Sequence, residues 1–260
     1  MSPPKKALII SISGCSSSGK TTLARLLRDI FSPHTFILHQ DDFYLPESQL
    51  PKKTGTDLLD WDCPSSLDLP LLHKALTHIH STGTFPPFID SKEDLNTTGS
   101  LPPSITPSLF SSLKPPIISS QKTPICILDG FLLYTQDTSF SSILPLLDIK
   151  LFLLATKSSC LQRRQNRDGY VTLEGFWTDP PGYVEQIVWP NYVEYHKWMF
   201  KGQEEFNVEK GMVDREIAER EMGVRVQPWK EGEGIEFKEV LEWAVEEVGR
   251  GVKEWEEKKG

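Results

Sequence analysis

The stretch Gly14-Cys15-Ser16-Ser17-Ser18-Gly19-Lys20-Thr21 constrains this chain more than any other. It satisfies GxxxxGK[ST] at every fixed position. Residues 7–13 before it are apolar and β-branched, the pattern of a buried parallel strand. After it, Leu23, Leu26, Leu27 and Ile30 recur at helical spacing within residues 21–31. A strand, a glycine-bounded turn and a helix aim backbone N–H groups and a helix's positive end at one point, which suits a phosphate. The glycines let the backbone close around the anion. On this reading Gly14, Ser16, Ser17, Ser18, Gly19, Lys20, Thr21 and Thr22 bind a nucleotide. Lys20 reaches the β- and γ-phosphates of ATP, and the Thr21 hydroxyl ligates Mg²⁺. The alternative is a Ser/Gly-rich turn that matches by chance, and the strand–helix context argues against it. Nothing in the loop reveals the phosphoryl acceptor.

The rest of the chain alternates in the same way. Residues 35–39, 125–129, 149–155 and 224–227 read as strands. Residues 67–80, 158–167, 180–200 and 237–255 read as helices, the third despite an internal Pro190. In the last, Gly249 and Gly251 weaken the second half. Such alternation implies an α/β fold with a mainly parallel sheet. Residues 81–124 break the pattern: 23 of these 44 are Ser, Thr or Pro and only six are charged. A stretch like that buries too little apolar surface to offset its ordering entropy, so a low-complexity, partly disordered loop is expected. A second insertion, charged, is expected at 201–222. The organisation expected is one domain over 1–260 with these two decorations.

Composition narrows the function. The net charge is −8, which argues against a broad nucleic-acid-binding face. The acidity sits mostly in residues 201–260, with 11 basic and 17 acidic side chains. No apolar run approaches ~20 residues, so no membrane helix is expected. Cys15, Cys63, Cys126 and Cys160 form no CxxC or zinc pattern, so free thiols in a reducing compartment are expected. Together these point to a cytoplasmic protein whose partners are small molecules. Protein partners remain open.

Acceptor chemistry comes from four places. Asp41 and Asp42 follow the second strand, where carboxyl ends of strands face the ligand crevice, and a carboxylate there can take a proton from a hydroxyl. Asp129 ends the strand 125–129, as an acid near Mg²⁺ does. Both are also compatible with plain turn or capping acids. Trp61 beside Asp62 suits a flat ring and a sugar diol, although a tryptophan among leucines is more often core. Arg163, Arg164 and Arg167 share one short helix, and Arg163 and Arg167 share a face. They suit a lid over a transferring phosphoryl group or a solvated basic face. The six histidines form no recognisable pattern and receive no role.

These pieces together resemble the nicotinamide riboside kinases, a branch of the uridine-kinase-like P-loop kinases. The resemblance runs through residues 9–22, Gln40-Asp-Asp-Phe-Tyr44 with Pro46-Glu47, and Trp61-Asp62. It continues through Leu128-Asp-Gly-Phe-Leu-Leu133, the three arginines, Pro181-Gly-Tyr183 and Val188-Trp-Pro-Asn-Tyr192. It implies a P-loop NTPase-type parallel sheet flanked by helices, with a lid. It implies ATP- and Mg²⁺-dependent phosphorylation of the ribosyl 5′-hydroxyl of nicotinamide riboside, and of nicotinic acid riboside in many members. By the same resemblance Asp41 is the general base, Asp62 holds the ribose hydroxyls, and Trp61 stacks on the pyridine with Tyr170 opposite. Lys20, Arg163 and Arg167 then act in catalysis, Arg164 joins them over the phosphates, and Thr21 and Asp129 hold the metal. Asp129 stands where some relatives have Glu, a longer reach. A uridine/cytidine kinase, another small-metabolite kinase and a non-catalytic nucleotide-binding regulator are the competing readings. The acceptor pocket discriminates among the kinases, and the presence of Lys20, Thr21, Asp41 and the arginines speaks against the regulator.

Overall fold

The computed structural model describes residues 5–91, 101–113, 123–165, 170–172, 175–230 and 234–258, with backbone alone for 165, 170–172 and 175–177. The strands are β1 (Leu8–Gly14), β2 (Thr35–His39), β3 (Ile125–Asp129), β4 (Ile149–Leu153), β5 (Tyr170–Thr172), β6 (Gly175–Trp177) and β7 (Val224–Val226). Five of them build one sheet in the order β2-β3-β1-β4-β7, and every pairing in it is parallel. β5 and β6 pair separately as an antiparallel ribbon. The helices are α1 (Lys20–Ile30), α2 (Leu69–Thr82), α3 (Pro107–Leu113), α4 (Lys157–Gln165), α5 (Trp189–His196), α6 (Glu205–Glu209), α7 (Arg215–Met222) and α8 (Phe237–Glu257).

Every residue of β1 is buried, so both faces of the sheet are covered. Side chains alternate across a strand, and the sequence exploits this. Leu8, Ile10 and Ile12 pack with Leu23, Leu27 and Ile30 of α1 and with Leu241, Ala244 and Val248 of α8. Ile9 joins the opposite core, with Leu72, Leu76 and Ile79 of α2 and Tyr192 of α5. α2 starts where the Asp68 side chain accepts a hydrogen bond from the Leu71 amide at 2.9 Å, and stops at Gly83.

Three expectations from the sequence change. The stretch 180–200 is not one regular helix. A π turn over Val184–Val188 leads into α5, and a 3₁₀ turn over Lys197–Met199 follows. Pro190 offers no N–H to an α-helical ladder and its ring crowds the carbonyl four residues earlier, so the wider turn falls just before it. Within 81–124, α2 runs on to Thr82 and α3 is helical, with Ile105, Phe110 and Leu113 packed against the α1–α8 core. Residues 92–100 and 114–122 lie outside the described part. The charged stretch 201–222 is folded: α6 and α7 contribute Val208 and Ala218 to the buried core.

Gly251 is the fourth departure. α8 is continuous through it, and a Cβ placed there would stand 2.2 Å from Ile149 Cδ1. The missing side chain lets α8 lie directly on β4, so what reads as a helix weakness is a packing device. Gly249 faces open space. All four cysteines are free and buried, and among the described residues no helix is long and apolar enough to cross a membrane.

Gly251→Val should therefore overpack the α8–β4 contact and cost about 1–3 kcal/mol in urea unfolding. Gly249→Ala should instead gain about 0.5–1 kcal/mol. Equal effects of the two changes would contradict this packing account.

Candidate active site

The loop after β1 is built for an anion. Gly14 has φ 148°, and a Cβ on it would come 2.4 Å from the Leu153 carbonyl oxygen of the neighbouring strand. Gly19 and Ser17 also have positive φ, at 99° and 59°, which turns successive N–H groups inward. The Lys20 side chain is 8% exposed and its ammonium donates to the Cys15 carbonyl at 2.9 Å, not to a carboxylate. Ser18 Oγ is buried without a hydrogen-bond partner. A buried cation and orphan donors inside a ring of amides fit the phosphates of a nucleotide.

The acids arrive by register. In the β2–β3 ladder His39 pairs with Asp129, and in the β1–β3 ladder Ile12 pairs with Asp129. Asp129 thus ends the strand between the loop and the Gln40–Phe43 3₁₀ turn that carries Asp41. The Thr21 hydroxyl donates to Asp129 Oδ2 at 2.6 Å. His39 Nδ1 lies 3.3 Å from the same oxygen, in a site where both side chains are almost fully buried. Burial pushes the Asp129 carboxyl up, but His39, Lys20 and the Thr21 hydroxyl outweigh it and hold it below the usual range. Asp41 moves the other way: burial and the Asp129 charge raise it, against Lys20 and His39. One acid is held ionised and its neighbour is held more basic. Thr21 and Asp129 are the pair that could hold a divalent cation beside the phosphates.

Gln40 locks the two acid-bearing turns together. Its amide donates to the Leu132 carbonyl at 2.7 Å and accepts from the Leu132 amide at 3.0 Å. Gly130 makes room for it, since a Cβ there would meet Gln40 Oε1 at 2.6 Å.

The second half of the site is carried by loop 60–62. Asp62 is 9% exposed, and burial pushes its carboxyl up to about 6, against the pull of Arg164. Tyr183 bridges the loop: its hydroxyl oxygen accepts from the Trp61 amide at 3.1 Å and its O–H donates to Asp62 Oδ2 at 3.4 Å. Trp61 is half-buried and meets Tyr44 edge-on at 5.1 Å, while Tyr44 stacks on Phe131 at 5.9 Å. The rings adjoin two carboxylates, since the charges of Asp41 and Asp62 both act on the Tyr44 hydroxyl.

α4 supplies the arginines. Arg164 forms a two-pronged pair with Asp179, at 2.6 and 3.0 Å, and donates to Ser16 Oγ at 2.5 Å. Arg163 reaches the Ser17 carbonyl at 3.3 Å. Two of the three arginines therefore touch the phosphate loop. Arg167 and the Tyr170 side chain lie outside the described part. Sequence reasoning passed over His39, Gln40, Tyr44, Phe131 and Tyr183 as parts of the site. Tyr44 and Phe131 each stand two residues after an acid, Asp42 and Asp129, which is a readable signal; His39 carries none without the β2–β3 register.

The family model of the phosphoribulokinase/uridine kinase family matches residues 9–195. The nicotinamide riboside kinase of Schizosaccharomyces pombe is 34% identical over 198 residues, 75% of this chain and 82% of that one. The chain belongs to the phosphoribulokinase/uridine kinase family, in its nicotinamide riboside kinase branch. The Saccharomyces cerevisiae nicotinamide riboside kinase is 33% identical over 75% of this chain and 80% of its own length. Human nicotinamide riboside kinase 2 is 30% identical over 83% and 79%. As a kinase of this family the chain uses ATP and a small-molecule acceptor.

The Asp62 carboxyl of this kinase should titrate near pH 6 in carbon-13 NMR of the free enzyme. A midpoint in the ordinary carboxylate range, below about 4, would mean that the carboxyl is hydrated and the pocket around it open.

Proposed function

We propose that this kinase transfers the γ-phosphoryl group of ATP to the 5′-hydroxyl of nicotinamide riboside, giving nicotinamide mononucleotide, and that it accepts nicotinic acid riboside as well. The observation that carries the reading is the Trp61–Asp62 pair, fixed by Tyr183 beside Asp41. An aromatic face next to a buried carboxylate suits a pyridine ring joined to a ribose diol. The whole chain acts as one kinase domain, and four buried free thiols support a reducing compartment such as the cytoplasm.

The roles proposed combine the family resemblance with this arrangement. Loop amides and Lys20 bind the nucleotide phosphates, with Gly14, Ser16, Ser17, Ser18, Gly19, Thr21 and Thr22 forming the cradle. Thr21 and Asp129 would hold Mg²⁺, which when bound neutralises charge on the phosphates. Asp62 accepts hydrogen bonds from the ribose hydroxyls and Trp61 stacks on the pyridine, with Tyr170 on its other face. That places the 5′-hydroxyl at Asp41, which orients it and accepts its proton as the new P–O bond forms. A carboxylate of raised basicity is better suited to that transfer. Arg163, Arg164 and Arg167 stabilise negative charge on the transferring group from the lid side. Arg164 already reaches the phosphate loop through Nη1 while Nε and Nη2 pair with Asp179.

Asp41→Asn should lower kcat by about 10²–10⁴-fold, while ATP binding measured by calorimetry stays within about twofold. An unchanged kcat would remove Asp41 from its role. Trp61→Ala should raise the KM for the riboside by the equivalent of about 1–3 kcal/mol with the ATP KM unaffected. A change confined to the ATP KM would end the stacking assignment. Because the ionised Asp62 accepts through both oxygens and more strongly than the protonated acid, the riboside KM of the wild type should also rise as pH falls from neutral through about 6. Asp62→Asn should remove that pH dependence.

A further inference from the structure

The acceptor loop is braced from below by a buried polar chain that no role yet explains. Asp60 is 5% exposed and Asn191 is 1% exposed. Asn191 Nδ2 donates to Asp60 Oδ1 at 2.6 Å, and the same oxygen accepts from the Asp62 amide at 3.0 Å. Lys53 Nζ donates to Asn191 Oδ1 and stands 3.9 Å from Asp60 Oδ2. The outer end of the chain is Lys53, with Glu194 at 3.9 Å in the more exposed surroundings. Residues 51–60 fold back on themselves to bring Lys53 in: the Lys53 amide donates to the Leu58 carbonyl at 3.0 Å and the Asp60 amide to the Pro51 carbonyl at 2.7 Å.

The π turn explains why one helix can grip both ends of the loop. Tyr183 and Asn191 are eight residues apart, about 80° around the axis of an uninterrupted α-helix. One extra residue absorbed by a wide turn makes them equivalent to residues seven apart, about 20° around the axis. Tyr183 then holds Trp61 and Asp62 while Asn191 holds Asp60. A buried carboxylate so close to Asp62 is costly unless it is paired and fully hydrogen-bonded. Lys53 and Asn191 supply the pairing, and the spare lone pair of Asp60 is used on the Asp62 amide. A buried hydrogen-bonded network of this kind favours one conformation of the groups it touches.

We propose that Lys53, Asn191 and Asp60 are positioning residues for the acceptor, holding the Trp61–Asp62 turn in its binding geometry before the acceptor arrives. They act through Asp62 and Trp61 and do not touch the reacting atoms. The kinetic consequence rests on the riboside reading given above. The structural consequence does not.

The test removes the partners singly. Asn191→Asp sets two carboxylates against each other with one lysine between them, and Lys53→Met removes the cation beside Asp60. Hydrogen exchange of the Trp61 and Asp62 amides reads the loop directly. Asn191→Asp should speed Asp62 amide exchange by about 10-fold or more, the scale of one lost buried hydrogen bond. It should raise the riboside KM by a similar factor, with kcat and the ATP KM within about twofold. Lys53→Met should move both readouts in the same direction. Unchanged exchange in Asn191→Asp would overturn the proposal. Should Asn191→Asp not fold, Lys53→Met at the outer end of the chain carries the same measurement, and native-like protection there would equally overturn it. A wild type that turns over no pyridine riboside would sink the riboside reading alone, with the exchange data still deciding this one.

Discussion

Parallel pairing of β2, β3 and β1 in one register is what the rest of the site depends on. The three strands end on the same side of the sheet, and each end delivers one chemical part: the phosphate loop from β1, Asp129 from β3, and the Asp41 turn from β2. A shift of one residue in β3 would turn Asp129 into the core and bring Leu128 to Thr21. The cost of moving the Asp129 carboxylate away from Thr21, His39 and Lys20 opposes that shift. Strand register thus sets the distance between a hydroxyl, a carboxylate and a lysine. Gln40 adds a local lock, tying the Asp41 turn to the loop after Asp129 by two hydrogen bonds.

The site has two halves with different mechanical character. The phosphate half grows from the middle of a sheet buried on both faces. The acceptor half is a turn on the surface of the fold, held by side chains of the helical segment that ends in α5. Rigid strands suit the part that must stabilise the transferring phosphoryl group. A braced turn suits the part that must fit a particular ring and sugar. Neighbouring carboxylates in the two halves differ because their surroundings differ: Asp129 is compensated by His39, Lys20 and Thr21, while in Asp41 and Asp62 burial outweighs the nearby cations.

Much of this was legible in the sequence. Short β-branched runs marked β1, β2 and β3 to within a residue, because fully buried parallel strands leave little choice of composition. The phosphate loop was legible because its geometry admits so few residues, Gly14 above all. The acid at the end of β3 and the acid pair after β2 were legible by their position. What stayed hidden depends on contacts distant in sequence. His39 matters only through its pairing with Asp129. Gly251 reads as a weak point in a helix until Ile149 is placed against it. Pro190 reads as an interruption, and the π turn before it gains a purpose only when Tyr183 and Asn191 are seen to share a target. A long Ser/Thr/Pro-rich stretch reads as one loop, although a short apolar pattern within it is enough to dock α3 on the core.

The central claim is that this kinase is built around a pyridine nucleoside. The most direct measurement is ADP release with Mg·ATP and, at equal concentration, nicotinamide riboside, nicotinic acid riboside, uridine or cytidine. The two pyridine ribosides should be turned over with kcat/KM well above that of either pyrimidine nucleoside. A preference for uridine or cytidine would leave the phosphate half intact and contradict the reading of Trp61 and Asp62 as a pyridine riboside pocket.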